Sequence, residues 1–124
     1  MSSLDHFSVP TRAWFNASFA QPTAAQEAGW EAIGRGHHTL IHAPTGSGKT
    51  LAAFLYLIDR LLTETLPPRA ERCRVLYVSP LKALAYDVDR NLRAPLHGIR
   101  HAAARLGTEF PGELTTFLRT GDTP

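Results

Sequence analysis

Ala43-Pro44-Thr45-Gly46-Ser47-Gly48-Lys49-Thr50 is the stretch on which the reading of this chain turns. A triphosphate must be wrapped by backbone N–H groups, and Gly46 and Gly48 permit an approach that a β-carbon would hold off. Thr45 and Ser47 complete the cradle. Lys49 supplies a flexible point charge for the β- and γ-phosphates, and the Thr50 hydroxyl is placed to ligate Mg²⁺, itself coordinated by phosphate oxygens. A helix starting here adds its positive dipole end. The strict pattern G-x-x-x-x-G-K-[ST] opens on glycine and this one opens on Ala43, so the flanks have to decide.

They do. Thr39-Leu40-Ile41-His42-Ala43 is a short β-prone run, and the segment after the loop carries apolar residues at 51, 54, 55, 58, 61 and 62, the spacing of a helix over 49–66. Strand, glycine loop and helix follow in the order that a bound nucleoside triphosphate requires. Upstream, 11–19 predicts a short helix and Thr23 the N-cap of a second, which Gly34 and Gly36 end. Downstream, Val75-Leu76-Tyr77-Val78-Ser79 suits a strand covered on both faces, 81–91 and 96–106 read as two helices, and 114–118 as a third strand. Alternating strands and helices predict an α/β fold with a parallel sheet.

The 124 residues, 44% of them apolar, suffice for one core, and a formal charge of +2 permits nucleic-acid binding without demanding it. Cys73 alone excludes an internal disulfide, and its place at a strand start predicts a packed thiol. No apolar run approaches the ~20 residues of a membrane span, and a basic, apolar leader is missing from the N-terminus, so a cytoplasmic protein without a membrane partner is the expectation. His97 and His101 stand at helical spacing without a third ligand nearby, which predicts ordinary histidines.

The segments together resemble the first RecA-like domain of superfamily 2 DEAD/DEAH-type helicases, and within them the large helicase-related (Lhr) family. Pro22-Thr23-Ala24-Ala25-Gln26 looks like the Q motif, so the resemblance gives Gln26 the adenine edge and offers Phe7 as the aromatic that packs on adenine, a core role for Phe7 being equally open. Ala43 to Thr50 is similar to motif I, which in this superfamily often begins with alanine. Ser79-Pro80-Leu81-Lys82-Ala83-Leu84 looks like motif Ia, whose counterpart contacts nucleic-acid phosphates, here through Ser79, Pro80 and Lys82. Arg119-Thr120-Gly121-Asp122-Thr123 resembles the next strand-end segment, with Gly121, Asp122 and Thr123 near the tracked strand.

The resemblance implies an incomplete, three-layer RecA-like P-loop NTPase fold: residues 1–124 as part of the helicase ATP-binding domain, 1–36 as its Q-motif helical region and 37–124 as the P-loop core. It implies ATP and Mg²⁺ as cofactors, single-stranded nucleic acid as partner with DNA expected over RNA, and a continuation into an Asp-Glu-x-His motif and a second RecA-like domain. Without those the 124 residues alone are expected to hydrolyse little or no ATP. Two other readings of the same loop are a small metabolite kinase, which would need a lid and a substrate-binding acid after Thr50, and a non-catalytic nucleotide-binding module. Neither needs phosphate contacts remote from the nucleotide. Trp14, Phe15 and Phe19 stand at helix-packing spacing, and Arg90 and Arg93 at pairing distance from Asp87 and Asp89.

Overall fold

The computed structural model describes residues 3–44 and 48–124. After a 3₁₀ turn at Ser3–His6, the described residues form four α-helices, α1 (Val9–Ser18), α2 (Ala24–Gly34), α3 (Lys49–Thr63) and α4 (Lys82–Leu106), with a second 3₁₀ turn at Arg69–Glu71 between the last two. α1 packs on α4 and α2 on α3. The core lies where all four meet: Phe15 from α1, Trp30 from α2, Leu55, Ile58 and Leu62 from α3, and Ile99 from α4, closed by Leu4 and Phe7. Its centre is aromatic. Trp30 receives Phe7 at 4.9 Å and Phe15 at 5.6 Å between ring centroids, both edge-on, the arrangement ring quadrupoles favour. Trp14 lies so directly on Gly98 of α4 that any β-carbon there would collide with the indole, as the helix-packing reading of the α1 aromatics expects.

α3 is the element around which the others are arranged. Ala52, Leu55, Ile58, Asp59 and Leu62 make its buried stripe, while Phe54 turns outward onto Tyr77 with ring centroids 5.5 Å apart. At its C-terminal end, Glu64 pairs with Arg60 at 2.5 Å and with Arg74 at 2.8 Å. The Gly112 N–H donates to the Leu62 carbonyl at 2.9 Å, and a β-carbon at Gly112 would strike the last α3 carbonyls, so only glycine brings the chain back this closely.

Two expectations need correction, and a third is met only in part. The two helices expected at 81–91 and 96–106 are one helix, α4, which runs through Pro95. Proline removes one backbone bond, at a cost of about 3 kcal/mol in a helix interior. Pro95 and Ile99 are buried and Leu92 and Leu96 pack on the core, and each such apolar side chain contributes about 1.5–3 kcal/mol. Packing therefore outweighs the lost bond. Cys73 is exposed rather than packed.

The third concerns the sheet. Among the described residues no strand is formed: 37–44, 72–79 and 113–120 are non-helical, and no backbone hydrogen bond joins any two of them. The side chains still alternate as a strand's would, since Tyr77 packs on Phe54 while Leu76 and Val78 on either side are 83% and 78% exposed. Leu40 and Phe117, each 92% exposed, are equally uncovered. Period-two patterning is thus present without paired backbone among the described residues.

Candidate nucleotide and nucleic-acid site

The start of α2 is built by a reciprocal cap. Thr23 is the N-cap; its hydroxyl accepts the Gln26 N–H at 3.2 Å, and the Gln26 Oε1 accepts the Thr23 N–H at 3.0 Å. This fixes the Gln26 side chain, 3% exposed, so that its Nε2 donates to the Gly48 carbonyl at 3.4 Å. The residue expected to read adenine thus lies against the residue that ends the phosphate loop. Its amide keeps a second N–H and a second lone pair for another partner.

Gly48 is the N-cap of α3 with φ 78° and ψ 28°, a left-handed conformation that side chains resist. Its carbonyl also accepts the Ala52 N–H at 3.0 Å, closing the first turn. No side chain caps this helix end, so the amides of its first turn are directed at whatever lies before it. Lys49 is exposed and Thr50 half-buried there. Thr45, Gly46 and Ser47 lie outside the described residues. Phe7, 4% exposed, edge-on to Trp30 and 6.3 Å from the Tyr56 ring centroid, takes the core position that was equally open for it.

The two segments expected to touch nucleic acid come together. Lys82 opens α4 and its ammonium pairs with the Asp122 carboxylate, 40 residues away. Asp122 sits in a turn knitted by its own threonines: Thr123 N–H donates to the Thr120 carbonyl at 3.0 Å, Thr120 N–H to the Thr123 hydroxyl at 2.8 Å, and Asp122 N–H to the Thr120 hydroxyl at 3.2 Å. The Ser79 hydroxyl donates to the Leu81 carbonyl at 3.2 Å, shaping the approach to α4, with Pro80 exposed beside it. Gly121 has nothing within 4 Å of where a β-carbon would stand. Arg93 pairs with Asp89 at 2.9 Å and Arg90 with Asp87 at 3.7 Å, as their spacing implies.

Two residues that shape the site were missed by the sequence reading. Trp30, fully buried, donates its indole N–H to the Leu51 carbonyl in the first turn of α3 at 2.9 Å. Asp59, 3% exposed, accepts from the Ser8 N–H at 3.1 Å and from the Ser8 and Thr11 hydroxyls at 2.6 Å each. Both had a signal. Trp30 stands one turn beyond Gln26 on the same helix face, and Asp59 is a lone charge on an apolar stripe.

A sequence of phosphate-loop type leading into α3, whose last glycine is held by a capped glutamine of the preceding helix, is what a phosphate-loop protein carries. The chain belongs to the DEAD/DEAH box helicase family, whose family model matches residues 23–120. It is 56% identical over 121 residues to an Lhr helicase of Mycolicibacterium smegmatis, covering 98% of this chain and 8% of that protein. To the Lhr helicase/uracil glycosylase of Escherichia coli it is 50% identical over 125 residues, covering 97% of this chain and 8% of that one. A structure of the Mycobacterium smegmatis helicase Lhr bound to ssDNA and AMP-PNP superposes over the whole of this chain and 15% of its own, with a TM-score of 0.88 at 53% identity. The chain therefore spans under a tenth of the length of these two curated relatives.

Proposed function

We propose that this chain is the ATP-binding and strand-contacting part of an Lhr-type helicase motor that couples ATP hydrolysis to movement along single-stranded DNA. The observation that carries this reading is the 3.4 Å contact of Gln26 with the Gly48 carbonyl, which supports one site for both base and phosphates. Gln26 would hold the adenine edge, the backbone from Thr45 to Gly48 the phosphates, and Lys49 the charge that develops on the γ-phosphate as water attacks in line. Among the described residues no cluster of His, Cys, Asp or Glu could hold a metal. A single hydroxyl suits Mg²⁺, which keeps waters and takes its remaining ligands from phosphate oxygens, so Thr50 would be its protein ligand. When bound, the ion neutralises phosphate charge. Ser79, Pro80, Lys82, Gly121, Asp122 and Thr123 would face the tracked strand, and their convergence is what a kinase or a bare nucleotide binder has no use for.

In this reading residues 1–36 are the Q-motif region and 37–124 the P-loop core of a RecA-like domain, in which 39–43, 75–79 and 114–118 become strands of a three-layer parallel sheet once further strands pair with them. A second RecA-like domain and a cytoplasmic site of action complete the proposal. Equilibrium titration with fluorescent ADP tests its centre: micromolar-range binding to the chain is expected, lost by at least tenfold in Lys49→Ala. Unchanged affinity in that variant would remove the phosphate loop from the site.

A further inference from the structure

The indole of Trp30 is a buried hydrogen-bond donor with one acceptor, and that acceptor is informative. Leu51 O belongs to the peptide unit whose other end is the Ala52 N–H. Trp30 donates to the carbonyl of this unit at 2.9 Å, and its N–H donates to Gly48 O at 3.0 Å. The same Gly48 carbonyl receives Gln26 Nε2 at 3.4 Å. Two α2 side chains one helical turn apart therefore hold the two ends of a single link: Trp30 orients the 51–52 peptide plane, that plane holds the Gly48 carbonyl, and Gln26 holds it from the other side. A peptide plane is rigid, so fixing its carbonyl fixes its N–H. The elements can approach this closely because Gly29, the neighbour of Trp30, faces Ala52, where a β-carbon would meet the Ile41 side chain at 3.2 Å and the Ala52 carbonyl at 3.5 Å.

We propose that Trp30 is a positioning residue for nucleotide phosphates: it sets the first turn of α3, and through Gly48 the end of the phosphate loop, without touching the ligand. This rests on the nucleotide-binding reading above. A buried indole N–H needs an acceptor whatever its role; the informative point is which one it takes, the carbonyl of the peptide unit whose N–H closes the first turn of α3 on Gly48.

The test compares Trp30→Phe with the parent chain. Phenylalanine keeps an aromatic ring and loses the N–H. Dissociation constants for ADP and for adenosine are measured by displacement of fluorescent ADP, at a temperature where circular dichroism shows both proteins folded. A weakening of ADP by about fivefold, the size of one hydrogen bond, with adenosine held within about twofold, is expected. ADP affinity unchanged, or ADP and adenosine weakened together, would overturn the proposal. If Trp30→Phe does not fold, the isostere with sulfur in place of the ring N–H, β-(3-benzothienyl)alanine at position 30, answers the same question at constant shape. Lys49→Ala, with Trp30 intact, separates the two levels. Loss of ADP in Lys49→Ala with none in Trp30→Phe overturns the role of Trp30 alone, and no loss in Lys49→Ala overturns the nucleotide reading beneath it.

Discussion

At Gly48 two requirements meet in one residue. Its φ of 78° lies where an alanine costs about 1–2 kcal/mol, and a β-carbon there would run into the Gln26 amide. The amide is the free end of a side chain and can swing away, so the steric part is cheap, but swinging away breaks the bond to the Gly48 carbonyl. Gly48→Ala is therefore expected to destabilise the chain by about 1–2 kcal/mol in urea unfolding and to weaken ADP binding as well; a midpoint equal to that of the parent would show that this backbone relaxes freely. Gly48 was legible in the sequence as a close-approach glycine, although the reading had the phosphates as its neighbour and the structure adds Gln26. Thr23 was legible as the N-cap of α2, although the reading set Glu27 beside it and the structure closes the box with Gln26, three residues on. Phe7 was not. Nothing within a few residues of it distinguishes a ring that stacks on a base from one that meets Trp30, 23 positions away in sequence.

At the scale of elements, α1 is tied to α3 by a buried charge. The Asp59 carboxylate accepts three hydrogen bonds, all from Ser8 and Thr11 at the beginning of α1, where a negative charge also complements the helix dipole. Hydrogen bonds to a charged group contribute about 1.5–3 kcal/mol each before coupling between them is allowed for. Asp59→Ala would leave the three donors short of an acceptor at a site closed to water, and a loss of about 3 kcal/mol in unfolding free energy is expected. Asp59→Asn keeps the shape and one acceptor oxygen, and hydroxyls can rotate to accept, so it should cost distinctly less. Equal losses in the two variants would mean that packing, not charge, holds α1 in place. Such ties explain where sequence reading stops. The helices α1, α2 and α3 were found within a few residues from periodicity, but the Asp59 network spans 48 and 51 positions and leaves only a charge out of pattern. α4 was split at Pro95 because local propensity there is against a helix, and tertiary packing decided otherwise. The strand segments show the converse, since their alternation is local while their pairing depends on neighbours.

On the scale of the whole molecule, the charge balance is nearly even, with a formal +2, and most arginines that form ion pairs do so with carboxylates on the surface. The chain's lysines are Lys49 and Lys82 alone, so each flexible point charge falls in a segment assigned to phosphate contact. Lys82 is not idle in the present structure: it is paired with Asp122, their side chains 53% and 74% exposed. A pair so open to solvent contributes about 0–1 kcal/mol, little enough for a nucleic-acid phosphate to displace the carboxylate. The two partners should then affect binding in opposite senses. Lys82→Ala is expected to weaken single-stranded DNA binding and to reduce the slope of log K against log salt by about 0.7, the share of one phosphate contact on a single strand. Asp122→Asn removes the competing carboxylate, so affinity should rise by a few-fold at low salt while the turn, which uses the Asp122 backbone N–H and not its side chain, is kept. Fluorescence anisotropy with an oligo-dT strand across a salt series measures both. If the two substitutions weaken binding alike, Lys82 and Asp122 act as one structural unit and the phosphate contact must be sought elsewhere; opposite signs would establish the pair as the place where the strand exchanges with the protein's own carboxylate.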